Sequence, residues 1–276
     1  MLTIDALVAA LALEPTGPGT FRASNVSLGH GGPVFGGQLL AQSIVAALTA
    51  HDDGKAVKTV HTVFARSGST DLPVEIAVEP LHEGRSFASS TVTISQGDRL
   101  CTRSLVLLSA DEPDLIRHAQ EAETTSTPAT SPVARHVPGA WEVRVGGGVD
   151  VDDPDAVGPA ELDVWTRFVG APDDAPTNQA MLAFATDGFL IGTAMRPHAG
   201  VGQSQAHLTL TTGVVSHTLT FHEPCVAGEW LLLEHESPYA GRGRAYGRAD
   251  VFQVDGRLVA SFVQDSMIRA TPPRPA

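Results

Sequence analysis

Polar and apolar positions along the chain run through the same cycle twice: a long apolar stretch, then several segments of two-residue alternation. The first apolar stretch, 34 to 50, carries no charge, and its only polar side chains are Gln38, Gln42, Ser43 and Thr49. A helix apolar on nearly all sides is buried on nearly all sides, so other elements must wrap it. Strand-like segments follow at 57–66, 74–78 (V-E-I-A-V), 86–95 and 100–108, broken by Gly68, Pro73, Gly84 and the Gln96-Gly97-Asp98 turn. Before the helix stand a short amphipathic helix within 1–15, a strand at 21–28 and the glycine loop GHGGPVFGG.

The second cycle has a strand at 162–169, an apolar run at 178–195, and strands at 214–221, 230–236, 244–254 and 258–268. VHTVFARS from Val60 aligns with SHTLTFHE from Ser216 through His61 and His217. GDRL from Gly97 aligns with DGRL from Asp255 through Arg99 and Arg257, at nearly the same offset. Two anchors in register favour a duplication over chance. The predicted architecture is α+β: two antiparallel sheets, each wrapped around a central helix, with an N-terminal unit over 1–110 and a C-terminal unit over 161–276.

Composition adds the connection between them. Residues 111–160 are rich in Pro, Thr, Gly and Asp with little periodicity, which predicts a solvated linker, though Trp141, Val143 and Val145 predict that part of it packs down. The acidic stretch in and just after it carries most of the net charge of −13. No basic stripe remains for nucleic acid, which is excluded as a partner. At 276 residues and 42% hydrophobic content the chain can bury a large core. No window reaches the roughly 20 apolar residues of a membrane span, and the N-terminus, with Asp5 and Glu14 and no basic flank, does not suit a secretory signal. Cys101 and Cys225 stand in no disulfide-framework or metal-ligand spacing. A cytoplasmic protein without metal or cofactor is expected.

One residue stands out against this background. Asp187 is the single charge in NQAMLAFATDGFLIGTAM. A buried carboxylate must be hydrogen-bonded, paired or protonated, and a carboxylate in an apolar wall has the perturbed acidity of a general base. The competing reading is a helix cap or break at Thr186-Asp187-Gly188. His61, His217 and His222 read as satisfied strand histidines, and no G-x-S-x-G elbow is present.

Five segments, GGPVFGGQLLAQSIVAA, HEGRSF, ATDGFLIGTAMRPH, SHTLTFHEP and GRLVASFVQDSMIR, together resemble the bacterial acyl-CoA thioesterase II family of double hot-dog proteins. The resemblance spans both cycles in order. It implies hydrolysis of fatty acyl-CoA to fatty acid and coenzyme A by an activated water, with an Asp, a Thr and a Gln holding that water. By motif the Asp falls on Asp187 and the Gln on Gln264, while the Thr position holds Val214. A Gln amide both accepts and donates, which suits holding a water and facing an oxyanion. Strand alternation puts Ser216 and Thr212 on the face of Val214, and Ser216 is the leading substitute hydroxyl. Gly36, Gly37 and Gln38 at a helix start are assigned to binding the thioester, because free N–H groups there favour a carbonyl or an anion. For coenzyme A phosphates the candidates are Arg66, Arg85, Arg242 and Arg244. The alternative is a degenerate acyl-CoA or acyl-thioester binding protein that lost turnover with the Thr. A homo-oligomer is expected, since such sheets leave faces and edges to cover.

Overall fold

A computed structural model describes residues 2–28, 32–51, 54–134 and 139–271; residues 29–31 of the predicted glycine loop lie outside them. Helix α1 (Ile4–Leu11) starts at Thr3, whose hydroxyl accepts the Ala6 N–H. A ribbon of β1 (Glu14–Gly17) and β2 (Thr20–Ala23) leads to the buried helix α2 (Gly36–Ala50), then to β3 (Ala56–Phe64), β4 (Val74–Glu83), β5 (Phe87–Gln96) and β6 (Arg99–Ser109). The second cycle comprises β7 (Trp141–Val145), β8 (Glu161–Phe168), α3 (Ala175–Thr186), α4 (Leu190–Met195), β9 (Leu210–Phe221), β10 (Leu231–Gly241), β11 (Arg244–Gln253) and β12 (Leu258–Ala270).

The expected two sheets are one. Twelve antiparallel strands run in the order β1-β2-β4-β5-β6-β3-β9-β12-β11-β10-β8-β7, and the halves join where β3 pairs with β9, from Thr59↔Thr220 to Val63↔Ser216. Each half would otherwise end in an exposed edge of unpaired N–H and C=O groups, and pairing the two edges satisfies both. The junction also corrects the alignment of the repeat. His61 is exposed and His217 fully buried, so they lie on opposite faces of the sheet. A twofold relation between the halves preserves the face, so the outward His61 is not the counterpart of the inward His217, which pairs instead with buried Thr62 across the junction.

Helices α2 and α3 lie against each other on the inner face, with Leu40, Ile44, Met181 and Phe184 fully buried among Val60, Val92 and Leu219. Contact between the helices is close enough to dictate glycine. A Cβ on Gly37 would stand 2.2 Å from the Phe184 carbonyl oxygen, and one on Gly36 would stand 2.6 Å from an Asp187 carboxylate oxygen. The apolar run at 178–195 is not one helix: α3 ends at Asp187, and Gly188 and Phe189 leave helical geometry before α4 begins.

The stretch expected as a linker supplies β7, on the edge beside β8. Trp141 there is buried, stacks on Phe168 with centroids 5.9 Å apart, and donates its indole N–H to Thr166. Among the described residues, no helix is long and apolar enough to cross a membrane.

Candidate active site

Asp187 sits where the two halves meet. Its backbone caps α3 at the C-terminal end, while its side chain reaches the N-terminal turn of α2, where Oδ2 accepts the Gly37 N–H at 3.0 Å. Helix α2 receives no side-chain cap from its own N-cap residue, Phe35, so the opposite half supplies one. The positive end of the α2 dipole favours the carboxylate there. Both sequence readings of Asp187, break and buried acid, describe the same residue.

The carboxylate is only partly satisfied. Oδ1 is buried without a hydrogen-bond partner among the described residues. Burial pushes the Asp187 pKa up to about 7, with the Gly37 N–H pulling the other way. Asp187 also borders a cleft of about 580 Å³. Gly36 and Phe64 of the first half and Ile191, Val214 and Met267 of the second flank the same cleft. Its polar side carries Arg66, Ser67, Thr70 and His207. Of the four candidate arginines, only Arg66 borders it.

Gln264 is buried, and its amide is engaged at both ends. Nε2 donates to Ser266 Oγ at 2.9 Å, and Oε1 faces His217 Nδ1 at 3.3 Å. The other ring nitrogen of His217 meets the Thr186 hydroxyl at 3.1 Å, so one imidazole ties Gln264 to the residue preceding Asp187. Burial pushes the His217 pKa down to about 4, which keeps the ring neutral at pH 7, and it stacks on Phe262 with centroids 5.2 Å apart. His61 instead faces outward against Thr218, and His222 meets Ser261.

The substitute hydroxyl is not where alternation puts it. The register of β9 against β12 runs Gln264↔His217, Asp265↔Ser216 and then Ser266↔Val214, so Val215 is an extra residue and β9 carries a bulge. A bulge reverses the facing of the residues beyond it. Ser216 therefore shares the outer face with Asp265, to which it donates at 3.1 Å. Val214 lines the cleft directly opposite buried Ser266, and Thr212, also buried, borders the cleft too. Sequence reasoning missed Ser266. Its signal was available, since it lies two residues beyond Gln264 on the same strand face.

The helix-start residues divide. Gly36 and Gly37 border or cap Asp187, but Gln38 is turned away from it: its Oε1 accepts the Val26 N–H at 2.9 Å, and its Nε2 donates to Asn25. Gln38 pins the chain before α2 onto that helix.

Comparison with known proteins covers nearly the whole chain. The family descriptions "Acyl-CoA thioesterase N-terminal domain" and "Acyl-CoA thioesterase C-terminal domain" match residues 26–109 and 114–268. Acyl-CoA thioesterase 2 of Haemophilus influenzae is 28% identical over 290 residues, covering 96% of this chain and 98% of that protein. The crystal structure of an acyl-CoA thioesterase II from Mycobacterium marinum superposes with a TM-score of 0.82 at 26% identity, covering 96% of this chain and 99% of that one. A hot-dog-fold protein of Alicyclobacillus acidocaldarius, at 20% identity, shares the fold with a TM-score of 0.79 over 97% of this chain and 99% of that one.

Proposed function

The chain belongs to the acyl-CoA thioesterase family, and from that premise we propose how its cleft acts. The protein hydrolyses acyl-CoA to a free fatty acid and coenzyme A. Water held against the Asp187 carboxylate at the cleft loses a proton to it as the water oxygen bonds to the acyl carbon. The C–S bond then breaks, and the departing thiolate takes the proton back from Asp187. A pKa of about 7 suits both steps, because the group is poised between base and acid at neutral pH. Gly36 borders the cleft at the N-terminal turn of α2, whose dipole favours the carbonyl oxygen as it gains charge, while the Gly37 N–H stays on Asp187. Gln264, clamped between His217 and Ser266, does not border the cleft and acts through His217, which holds Thr186 next to the acid. Arg66 at the cleft wall suits a coenzyme A phosphate.

The single observation carrying this reading is a buried carboxylate beside a cleft, one of whose oxygens has no hydrogen-bond partner among the described residues. A protein that merely binds acyl-CoA gains nothing from it, so turnover is favoured over the degenerate binder. Release of free thiol from acyl-CoA by purified protein, abolished in Asp187→Asn, tests the reading; a folded wild type that releases none from any chain length sinks it.

The proposal extends to a homo-oligomer in the cytoplasm, built of units 1–110 and 161–276. Exposed Val63, Leu105 and Leu107 on the outer sheet face support association, and two unpaired cysteines suit a reducing compartment.

A further inference from the structure

Four inward side chains form a polar row on adjacent strands beneath the two helices: Ser104 opposite Thr62, Thr62 opposite His217 across the junction, and His217 opposite Gln264. All four are buried. The row is tied to both helices. Ser104 donates to Ser43 of α2 at 3.3 Å, and His217 Nε2 meets the Thr186 hydroxyl of α3 at 3.1 Å. His217 is the titratable member of the row, and neither it nor Thr186 nor Gln264 borders the cleft. What the ring does for the site it therefore does through Thr186, the residue before the acid.

Donor chemistry fixes the state of the ring. Gln264 Nε2 donates to Ser266, so the amide oxygen is what faces His217 Nδ1 at 3.3 Å, and a carbonyl oxygen only accepts. Nδ1 must then carry the proton. Burial pushes the ring's pKa down to about 4, so at pH 7 it is neutral and Nε2 is bare. A bare nitrogen accepts, and the hydroxyl facing it is that of Thr186, whose other acceptor is the Ala183 carbonyl at 2.8 Å. We propose that His217 is the positioning residue for the acid: as the Nδ1–H tautomer it takes the Thr186 hydroxyl proton at Nε2, and so fixes the end of α3 from which Asp187 reaches Gly37. The proposal rests on the hydrolase reading above and adds to it a tautomer and a direction of donation, Thr186 to His217 to Gln264 to Ser266. Phe262, stacked on the ring with centroids 5.2 Å apart, holds its plane. Without the ring the Thr186 hydroxyl falls back on its own helix, the last turn of α3 loses this tie to the sheet, and the carboxylate leaves its buried seat.

Two-bond proton–nitrogen NMR of histidine-labelled wild type reads the tautomer directly. An Nδ1–H ring that does not titrate between about pH 5 and about pH 9 is expected, a unit or more above its midpoint of about 4. An Nε2–H ring, or an imidazolium at neutral pH, overturns the proposal. Thiol release then separates three variants. A Gln amide reaches the Nε2 position and an Asn amide the Nδ1 position, so His217→Gln keeps an acceptor for Thr186 and His217→Asn does not. His217→Asn and Thr186→Val each lower kcat by about 10-fold to about 10²-fold, the cost of a small misplacement, with KM within about twofold. His217→Gln stays within about threefold of wild type. The pH midpoint of kcat, about 7 in wild type, moves down in the two damaged variants, because a carboxylate freed toward water loses the burial that raises it. Equal loss in His217→Gln and His217→Asn, a change confined to KM, or an unmoved midpoint overturns the proposal. Thr186→Val keeps the ring and its bond to Gln264, so the test survives if His217→Asn does not fold. Should wild type hydrolyse nothing, the hydrolase reading fails by itself, and a carboxyl-carbon NMR titration of Asp187 replaces the rate. A midpoint lowered in the folded variants then supports the positioning role, and an unmoved one overturns it.

Discussion

The carboxylate of Asp187, at the end of α3, accepts the backbone N–H of Gly37, in the first turn of α2, at 3.0 Å across the junction of the two halves. Neither half holds this site alone: one contributes the acid, the other the N–H and helix dipole that keep it usable. The first catalytic prediction concerns the oxygen this bond leaves over. Asp187→Asn keeps an acceptor for Gly37 but removes the base, so kcat falls by about 10²–10⁴-fold, the range for losing a general base. With a pKa of about 7, the wild-type rate rises with pH through neutrality and levels off above it. A pH-independent rate between 5 and 9, taken as about two pH units on each side of that value, removes Asp187 from the role.

Gly36 and Gly37 give separable outcomes, because a Cβ meets different things at each. On Gly36 it crowds the movable Asp187 carboxylate and the Phe64 ring, so Gly36→Ala folds but displaces the acid. Small misplacements of catalytic groups cost up to about 10²-fold, and a loss of that order is expected in kcat with melting nearly unchanged. On Gly37 it meets fixed backbone, and Gly37→Ala lowers stability by about 1–3 kcal/mol or more. Thermal melts alongside thiol-release assays distinguish the two; equal behaviour of both variants refutes the division.

Much of this was legible in the sequence, for physical reasons that also mark where legibility stops. The buried helix at 34–50 and the strands of both halves follow from patterning, since burial on one face or all faces writes itself into hydrophobicity. Asp187 stood out because a charge in an apolar run is costly. The fusion of two sheets through β3 and β9 was not legible, because an edge strand that pairs with another edge looks like any strand. The facing of Ser216 was misread because one extra residue at Val215 reverses alternation without altering composition. The break of the 178–195 run was visible only as the capping alternative at Asp187-Gly188.

Ser266 and Val214 face each other across β12 and β9, which yields a paired prediction. Ser266→Ala leaves the buried Gln264 Nε2 without its acceptor, a cost of about 1–3 kcal/mol, and loosens the amide. Val214→Thr places a hydroxyl directly opposite, and in the double variant it restores part of what Ser266→Ala loses. Ser216→Ala changes the rate by less than about twofold, because that hydroxyl bonds Asp265 on the outer face. A double-mutant cycle on kcat reads the coupling; additivity between 214 and 266, or a large effect at 216, contradicts the geometry.

The buried titratable groups pull stability in opposite directions with pH. His217 and His235, both held neutral with pKa values pushed down from 6.5 to about 4 by burial, cost stability when protonated. Between those values the unfolded chain binds more protons than the folded one, so their contribution is complete above 6.5 and is lost as pH falls toward 4. Asp187 does the reverse. Its folded pKa of about 7 exceeds its ordinary value of 3.8, so the folded state binds the extra proton in between, and stability falls as pH rises across that window. Asp187→Asn removes this penalty. It should match or trail wild type at pH 4, where the folded acid is protonated, and melt higher at pH 8, by about 2–4 °C for each kcal/mol recovered. A stabilising variant that is also inactive is the signature of a carboxylate kept buried for chemistry. Melting differences that do not grow from pH 4 to pH 8 show instead that the folded site carries no such cost.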